Sequence, residues 1–547
     1  MVYCAPCLGC VAQLSRYSPQ LGIKEDKEER QPQFWFDLAQ RRVQSSLSRR
    51  DSTTTARNLL LFIGDGMGMS TITATRILKG QLRGGSGEEF TLAMDTFPYT
   101  ALSKTYCTDS QIADSTCAAT AFLCGVKTNK FIAGLSAAAT FELCNSTAGN
   151  QVTSVLRWAK EAGKSVGFVT TTRVQHATLA PAYAHTASRN WYSDADMPAE
   201  QRQQGCTDIA HQLVHNIPDI EVIMGGGRKY MTPAATPDPE YNGDARYQGL
   251  RLDGVNLIDK WRELKPGKNA SYVWNKADLD RVDPNKTDYL LGLFEPEDLS
   301  YELERNSSSD PSLPDMVDIA LKILGKNPKG FFMLVEGGKI DVGHHDGKAK
   351  LALYETMLLD EAVERAALLT NERDTLTVVS ADHSHTLSLG GYTDRGTPIF
   401  GFAPVVSDVD GKPYTSLTYG NGPGFSLANG SRANPQLKNT SDPNYRQQSA
   451  VPLRQETHSG EDVPVFARGP WAHLFRGTNE DTFIAHVLAY AACLGPHTAR
   501  CNQDIKVPAL APMPSWPSVS ASPHRATPAV WTPVIALVLL VCTLTTE

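Results

Sequence analysis

Four short segments of this chain bring carboxylates and imidazoles together, and a fifth adds a hydroxyl. In Gly64-Asp65-Gly66-Met67-Gly68 a carboxylate sits on a tight turn whose glycines let the backbone pass close to a ligand. In Asp341-Val342-Gly343-His344-His345 the acid and the last imidazole are four apart, so on a helix they share a face and can bind one ion, with Glu336 on the preceding turn. Asp382-His383-Ser384-His385 supplies a carboxylate and two imidazoles, and Glu456-Thr457-His458 a further histidine. Singly, each segment reads as surface polarity or a satisfied core histidine; together, at strand ends, they do not. Oxygen and nitrogen ligands without thiolates fit catalytic zinc, and hydroxyl with carboxylate oxygen alone fits magnesium. Two zinc ions about 4 Å apart clamp the attacking and leaving oxygens of an in-line displacement, which phosphoryl transfer needs most. The nucleophile candidate is Ser115 in Asp114-Ser115-Thr116, opening a helix-like run from Cys117 to Leu123. A helix N-terminus favours an alkoxide and a phosphate oxygen, although without the metal segments Ser115 would read as a cap.

These residues need a frame that presents them side by side. Aliphatic runs at Asn58 to Ile63, Ser165 to Thr170, Gly330 to Val335 and Thr375 to Ser380 end in polar turns and alternate with helix-like stretches. That alternation predicts an α/β fold, a large, mainly parallel central sheet between helices. Asp65 follows the first run, Glu336 and Asp341 the third, Asp382 and His383 the fourth, where open α/β sheets place their ligands. Residues 230–311 are polar and irregular and read as an insertion packed on the main sheet. Residues 502–533 are rich in Pro and Ser and read as a flexible stalk.

With 547 residues the chain predicts one large catalytic domain, over 34–501, carrying insertions. Its 52 basic and 59 acidic side chains give a net charge of −7, with no basic patch interleaved with aromatics, so nucleic acid is excluded as a structural partner. Eleven cysteines include Cys4, Cys7 and Cys10, which lack a second pair at metal-binding distance and read as an unstructured leader within residues 1–33. Sequons at Asn145, Asn269, Asn285, Asn306, Asn429 and Asn439 point to glycosylated loops in the secretory pathway, where disulfides form. Residues 1–14 make a poor signal peptide. At the other end Ser520, Ala521 and Ser522 precede a Pro-containing spacer and an apolar tail within 534–547, the order of a glycosylphosphatidylinositol (GPI) anchor signal attached near Ser520. A single-pass helix is the alternative reading of that tail, but no basic cluster follows it. The expected location is the extracellular face of the plasma membrane.

The runs NLLLFIGDGMGMSTITATRILKGQ, ADSTCAATAFLCGVK, GKSVGFVTTTRVQHAT, GFFMLVEGGKIDVGHH, VVSADHSHTLSLGGY and SAVPLRQETHSGEDVPVFARGP resemble the animal alkaline phosphatases, particularly the tissue-nonspecific type. The resemblance spans roughly Phe34 to Cys501. It implies a homodimer with inserted calcium-binding and crown-like regions, hydrolysing phosphate monoesters with two zinc ions and one magnesium per site. Matched position by position, one zinc falls to Asp341, His345 and His458, and the other to Asp65, Asp382 and His383. Magnesium falls to Asp65, Thr178 and Glu336, with Ser115 as nucleophile and Arg189 gripping phosphate oxygens. Asp114, His176 and His385 lie behind these ligands. A calcium site matches Glu240, the Phe294 carbonyl, Glu295 and Asp310. The implied disulfides are Cys144 to Cys206 and Cys493 to Cys501, with Cys124 a buried free thiol, and Tyr392 matches a residue that reaches across the dimer.

The sequence also departs from that family. Thr116-Cys117-Ala118 replaces a small-residue pattern and predicts added bulk and a thiol near the site. Val342 stands where a histidine is usual, Thr178 where serine is common, and Gln455 at a variable entrance position. Two rival readings are a phosphodiesterase or sulfatase of the same superfamily, and an inactive cell-surface binding ectodomain. Ser115, Arg189 and the complete ligand set argue against both.

Overall fold

The computed structural model describes residues 28–501, which fall in one compact unit. Cys4, Cys7, Cys10, the stalk, Ser520 and the apolar tail lie outside the described residues.

A ten-stranded sheet forms the centre. Its strands are β1 (Asn58–Gly64), β2 (Tyr99–Lys104), β3 (Ser165–Arg173), β4 (Val222–Gly226), β5 (Ala270–Val273), β6 (Tyr289–Leu293), β7 (Phe331–Gly337), β8 (Thr375–Ala381), β9 (Val463–Arg468) and β10 (Thr478–Glu480). In space they run β10-β2-β9-β8-β1-β7-β3-β4-β6-β5. From β8 to β5 every neighbouring pair is parallel, while β9 runs antiparallel to both β8 and β2. The four runs read from sequence are thus strands, each extended by one to three residues at its carboxyl end. Glu336 lies inside β7, not on the turn after it. The stretch 230–311 differs from its reading as irregular: β5 and β6 come from it and complete one edge of the sheet.

The strands are apolar on both faces because helices cover both. Along β1, Leu59, Leu61 and Ile63 enter one core, and Leu60 and Phe62 the other, the period-two alternation of a pleated strand. Helices α3 (Ser115–Cys124) and α7 (Thr482–Ala492) pack into the first core, and α4 (Leu313–Leu324) and α6 (Ala349–Leu369) into the second. Helix α2 (Met69–Leu82) follows the Gly64–Gly68 turn, and the short α5 (Lys339–His345) follows β7. A buried ion pair, Lys79 Nζ to Asp360 Oδ2 at 2.7 Å, joins α2 to α6, and Asp360 also accepts from the Met94 amide. Between Asp382 and His458 the chain builds a separate three-stranded sheet from Leu387–Leu389, Leu417–Gly422 and Ser449–Pro452.

Helix α1 (Pro32–Leu47) buries none of its residues and exposes Trp35, Phe36, Leu38, Val43 and Leu47. Among the described residues no helix is long and apolar enough to cross a membrane.

Candidate active site

Register assembles the site. Ile63 lies beside Glu336 on β7 and beside Ser380 on β8, and Glu336 lies beside Thr170 on β3. Strands β8, β1 and β7 therefore end at one level, which β3 passes at Thr170, with neighbouring strands about 4.8 Å apart. Asp65, Glu336, Asp382 and Thr170 emerge as a row. The turn after β1 must be glycine: Gly66 has φ +72°, and a Cβ there would come within 2.4 Å of the His385 ring. Its amide donates to Asp382 Oδ1 at 2.9 Å, joining the two strand ends.

Three histidines are aimed by backbone carbonyls. His345 donates from Nδ1 to the Glu456 carbonyl (2.6 Å), and His458 from Nδ1 to the Ala113 carbonyl (2.7 Å). Both Nε2 atoms then stand 3.3 Å from Asp341 Oδ1. His383 directs Nδ1 towards the Ser384 carbonyl, and its Nε2 lies 3.3 Å from Asp382 Oδ2 and 3.5 Å from Asp65 Oδ1. Orientation of this kind is how proteins prepare imidazole for a metal. The rings of His383 and His458 stack at 3.5 Å, so the two ligand sets adjoin. Groups able to hold an ion include Asp65 with Asp382 and His383, Asp65 with His176 and Glu336, and Asp341 with His383, His385 and His458. Thr178 donates to Asp65 Oδ2 at 3.3 Å, on the Glu336 side of the site. Val342 lies half-buried on α5 between the ligand positions.

The electrostatics call for cations. Burial, reinforced by the charges of Asp382, Asp341 and Glu336, pushes the Asp65 carboxyl well above its ordinary range. Burial also raises Asp382, with Asp341 adding to it. Burial acts to raise Asp341 too, but His345, His385 and His458 outweigh it and hold that carboxyl well below the usual range. Burial drives His383 well down, with His458 reinforcing the shift. Glu336 Oε1, Asp382 Oδ2 and His176 Nδ1 are buried without a hydrogen bond. Buried polar atoms of native proteins usually have partners, and these three belong to the groups that join Asp65 to Glu336 and His176 and to Asp382 and His383. The donor set fits divalent metal ions.

Ser115 is 1 % exposed, and its hydroxyl lies 3.4 Å from Asp65 Oδ1 and 3.3 Å from His383 Nε2. It does not cap its helix. Asp114 does, accepting from the amides of Thr116 (3.1 Å) and Cys117 (3.3 Å), which leaves Ser115 at the first helical position facing the ligands. Asp114 further accepts from the Phe131 amide (2.9 Å) and pairs with Arg189 Nη1 (2.9 Å). The thiol expected at Cys117 is not free; Cys117 is bridged to Cys107, a pairing the sequence reading missed. Cys144–Cys206 and Cys493–Cys501 are also bridged, and Cys124 is a buried free thiol.

Other contributors escaped sequence reasoning. Thr170 (2.5 Å) and Thr172 (3.1 Å) donate to Glu336 Oε2, and hydroxyls on alternate residues at the end of β3 were the available signal. Glu456 bonds His385 Nδ1 (2.5 Å) and accepts from the amide and hydroxyl of Thr386. His385 reaches Asp341 Oδ1 at 2.8 Å through Nε2. Burial acts to lower His385, but Glu456 and Asp341 overcome it and push it up to about 10. Away from this centre, burial and the charge of Glu240 push Glu295 from 4.5 to about 7, with Asp310 adding. Asp310 Oδ1 is buried without a hydrogen bond, Phe294 is fully buried beside Glu295, and Glu240 pairs with Arg228.

A buried serine at a helix start, facing two adjoining carboxylate and histidine clusters at parallel strand ends, is the arrangement of a metal-dependent hydrolase. The family model described as alkaline phosphatase matches residues 56–494. Over 477 residues the chain is 58% identical to the tissue-nonspecific isozyme of alkaline phosphatase from Felis catus, covering 87% of this chain and 91% of that one. It is 57% identical over 470 residues to the alkaline phosphatase of Gadus morhua, covering 86% and 98%. The solved alkaline phosphatase of the Antarctic bacterium TAB5 shares the fold, with a TM-score of 0.56 at 21% identity over 81% of this chain and 99% of that one. The chain belongs to the alkaline phosphatase family, and it is a hydrolase of phosphate monoesters.

Glu456→Ala removes the partner that keeps His385 turned towards Asp341. Ligand partners of this kind are worth roughly 10- to 100-fold in metal affinity. The variant is expected to bind a divalent metal ion that much more weakly in a chelator competition titration, while Ser115 stays in place. Equal affinity in variant and parent would remove Glu456 from the site.

Proposed function

We propose that the chain acts on a broad range of phosphate monoesters through a phosphoserine at Ser115, using two zinc ions and one magnesium. The carrying observation is the buried Ser115 hydroxyl within 3.4 Å of both Asp65 and His383 at the start of α3. In this reading Asp341, His345 and His458 hold one zinc, and Asp65, Asp382 and His383 the other. Asp65, Thr178 and Glu336 hold magnesium. Bound there, these ions supply Lewis-acid stabilisation of the attacking and leaving oxygens.

The chain's own groups do the rest. The Ser115 oxygen attacks phosphorus as the bond to the alcohol oxygen breaks, and the serine proton leaves with the alcohol. Arg189, steered by Asp114 through one terminal nitrogen, offers the remainder of its planar fork to the equatorial oxygens. Water then attacks the phosphoserine from the vacated side; the Ser115–phosphorus bond breaks, and a proton from that water restores the hydroxyl. These contacts grip the phosphoryl group alone, which supports broad tolerance of the alcohol. Ser115→Ala is expected to lose phosphoserine, read by mass spectrometry after an acid quench, with zinc content near that of the parent. Phosphate found on another residue of the parent would overturn the assignment.

The same proposal puts one calcium ion at Glu240, the Phe294 carbonyl, Glu295 and Asp310, hard oxygen ligands of the kind calcium takes. Glu295 has a folded value near 7 against an ordinary 4.5. The folded state therefore binds more protons in that window, and stability falls as pH rises from about 4.5 to about 7. Calcium is expected to flatten that slope in thermal melts across the range. Superimposed melting profiles with and without calcium would exclude the site.

Further proposals are a homodimer, glycosylation, and a GPI anchor holding the enzyme on the extracellular face of the plasma membrane. Helix α1, with its exposed apolar side chains, and Tyr392, 95% exposed, support an association surface. The six sequon asparagines are all exposed, as glycosylation requires. Phosphatidylinositol-specific phospholipase C is expected to release active enzyme that sediments as a dimer and lacks Val534 to Val541. Retention of that tail in the released or mature protein would favour a transmembrane helix instead.

A further inference from the structure

We propose that the Cys107–Cys117 disulfide is a positioning clamp for the nucleophile segment, holding Asp114 and Ser115 in register with Arg189. This rests on the roles of Ser115 and Arg189 proposed above. The bridge joins two buried residues with Cα atoms 5.9 Å apart, ten positions apart in sequence, and closes into a ring the stretch that ends in Asp114, Ser115 and the first turn of α3.

That stretch has little else to hold it. Thr108, Asp109, Gln111 and Ile112 are exposed. Apart from His458, which donates from Nδ1 to the Ala113 carbonyl, its fixed points short of Asp114 are polar and lie on one neighbouring segment. The Thr108 amide donates to the Thr128 carbonyl (3.1 Å), its hydroxyl to Asn129 Oδ1 (2.5 Å), and the Lys130 amide donates to Asp109 Oδ1 (3.0 Å). The next residue, Phe131, has φ +65°, a conformation that a non-glycine residue keeps only when its surroundings impose it. Its amide donates to Asp114 at 2.9 Å, and its carbonyl accepts from the Arg189 amide at 2.8 Å. Segment 107–110 and segment 128–131 thus form one floor under Asp114 and Arg189. The disulfide ties the first turn of α3 to that floor covalently, where the N-cap hydrogen bond to the Cys117 amide, at 3.3 Å, is the long one of Asp114's contacts.

Cys107, Asp114 and Cys117 also lie close enough to share a metal ion. Asp114 is already engaged by three amides and by Arg189, which favours the covalent bridge. Cys107 and Cys117 touch neither substrate nor metal in this reading; they act through Asp114.

Tryptic digestion of the unreduced, secreted enzyme releases residues 105–127 with Cys107, Cys117 and Cys124 on one peptide. Alkylation without reduction is expected to modify Cys124 alone, and three alkylated cysteines would overturn the bridge. Cys107→Ser with Cys117→Ser removes the clamp, and Cys107→Val with Cys117→Ala does so while keeping the buried space apolar if the first pair folds poorly. Displacements near 1 Å cost catalysis up to about 100-fold, so kcat for a chromogenic phosphomonoester is expected to fall roughly 10- to 100-fold. Inhibition by inorganic phosphate should weaken alongside, because Arg189 shifts with Asp114. Each single substitution should cost as much as the pair. A disulfide that only stabilises the fold would lower the melting temperature and leave kcat and phosphate inhibition unchanged, which would sink the proposal. Loss of one zinc equivalent from the paired variant would instead identify a metal site. Phosphoserine labelling of the parent at Ser115 is read separately, so a failed clamp and a failed nucleophile assignment give different results.

Discussion

Four carboxylates, Asp65, Glu336, Asp341 and Asp382, are buried within reach of one another's charge, and most of the molecule is arranged around that fact. In a medium where burial already penalises a charge, their repulsion raises Asp65 and Asp382 further. Such a cluster is tolerable only where cations complete it. The imidazoles that draw Asp341 down are too few to serve all four acids. Bound metal ions relieve the repulsion and are the reagent of the family's chemistry, so stability and activity share a cause.

The sheet keeps the cluster together against that repulsion. Backbone hydrogen bonds hold β8, β1, β7 and β3 in register, so Asp65, Glu336 and Thr170 cannot drift apart without breaking the ladder. Helices on both faces lock the strands into two apolar cores. A layer of neutral and charged partners then turns each side chain of the cluster: carbonyls of Glu456, Ala113 and Ser384 for the three histidines, and hydroxyls of Thr170 and Thr172 for Glu336. His385 is held between Asp341 and Glu456, and those two acids push its imidazole up against the effect of burial.

Asp114 performs a comparable task for Ser115. By taking over the helix cap and the Arg189 contact, it leaves the adjacent serine hydroxyl unspent beside Asp65 and His383. A helix start that would ordinarily satisfy its own amides with the first polar side chain has two polar residues in succession, and they divide the work.

Local order was legible in the sequence because it repeats over short distances. The runs that became β1, β3, β7 and β8 were read within a few residues of their ends. The spacing of Asp341 and His345 predicted the helical face they share on α5. The acids and histidines following strand ends announced a metal site, and the motif set announced the family. The sequence offered Ser115 as a possible cap of α3, and the structure gives that place to Asp114, because both are good caps and only the surrounding groups choose. Thr170, 166 positions from Glu336, and Glu456, 71 from His385, had no local signal tying them to their partners. Residues 230–311 looked irregular because β5 and β6 are short and belong to the sheet only through strands contributed from elsewhere. The pairing of Cys107 with Cys117 was likewise decided in three dimensions: a disulfide requires two Cβ atoms to face each other, and facing is a property of the folded loop.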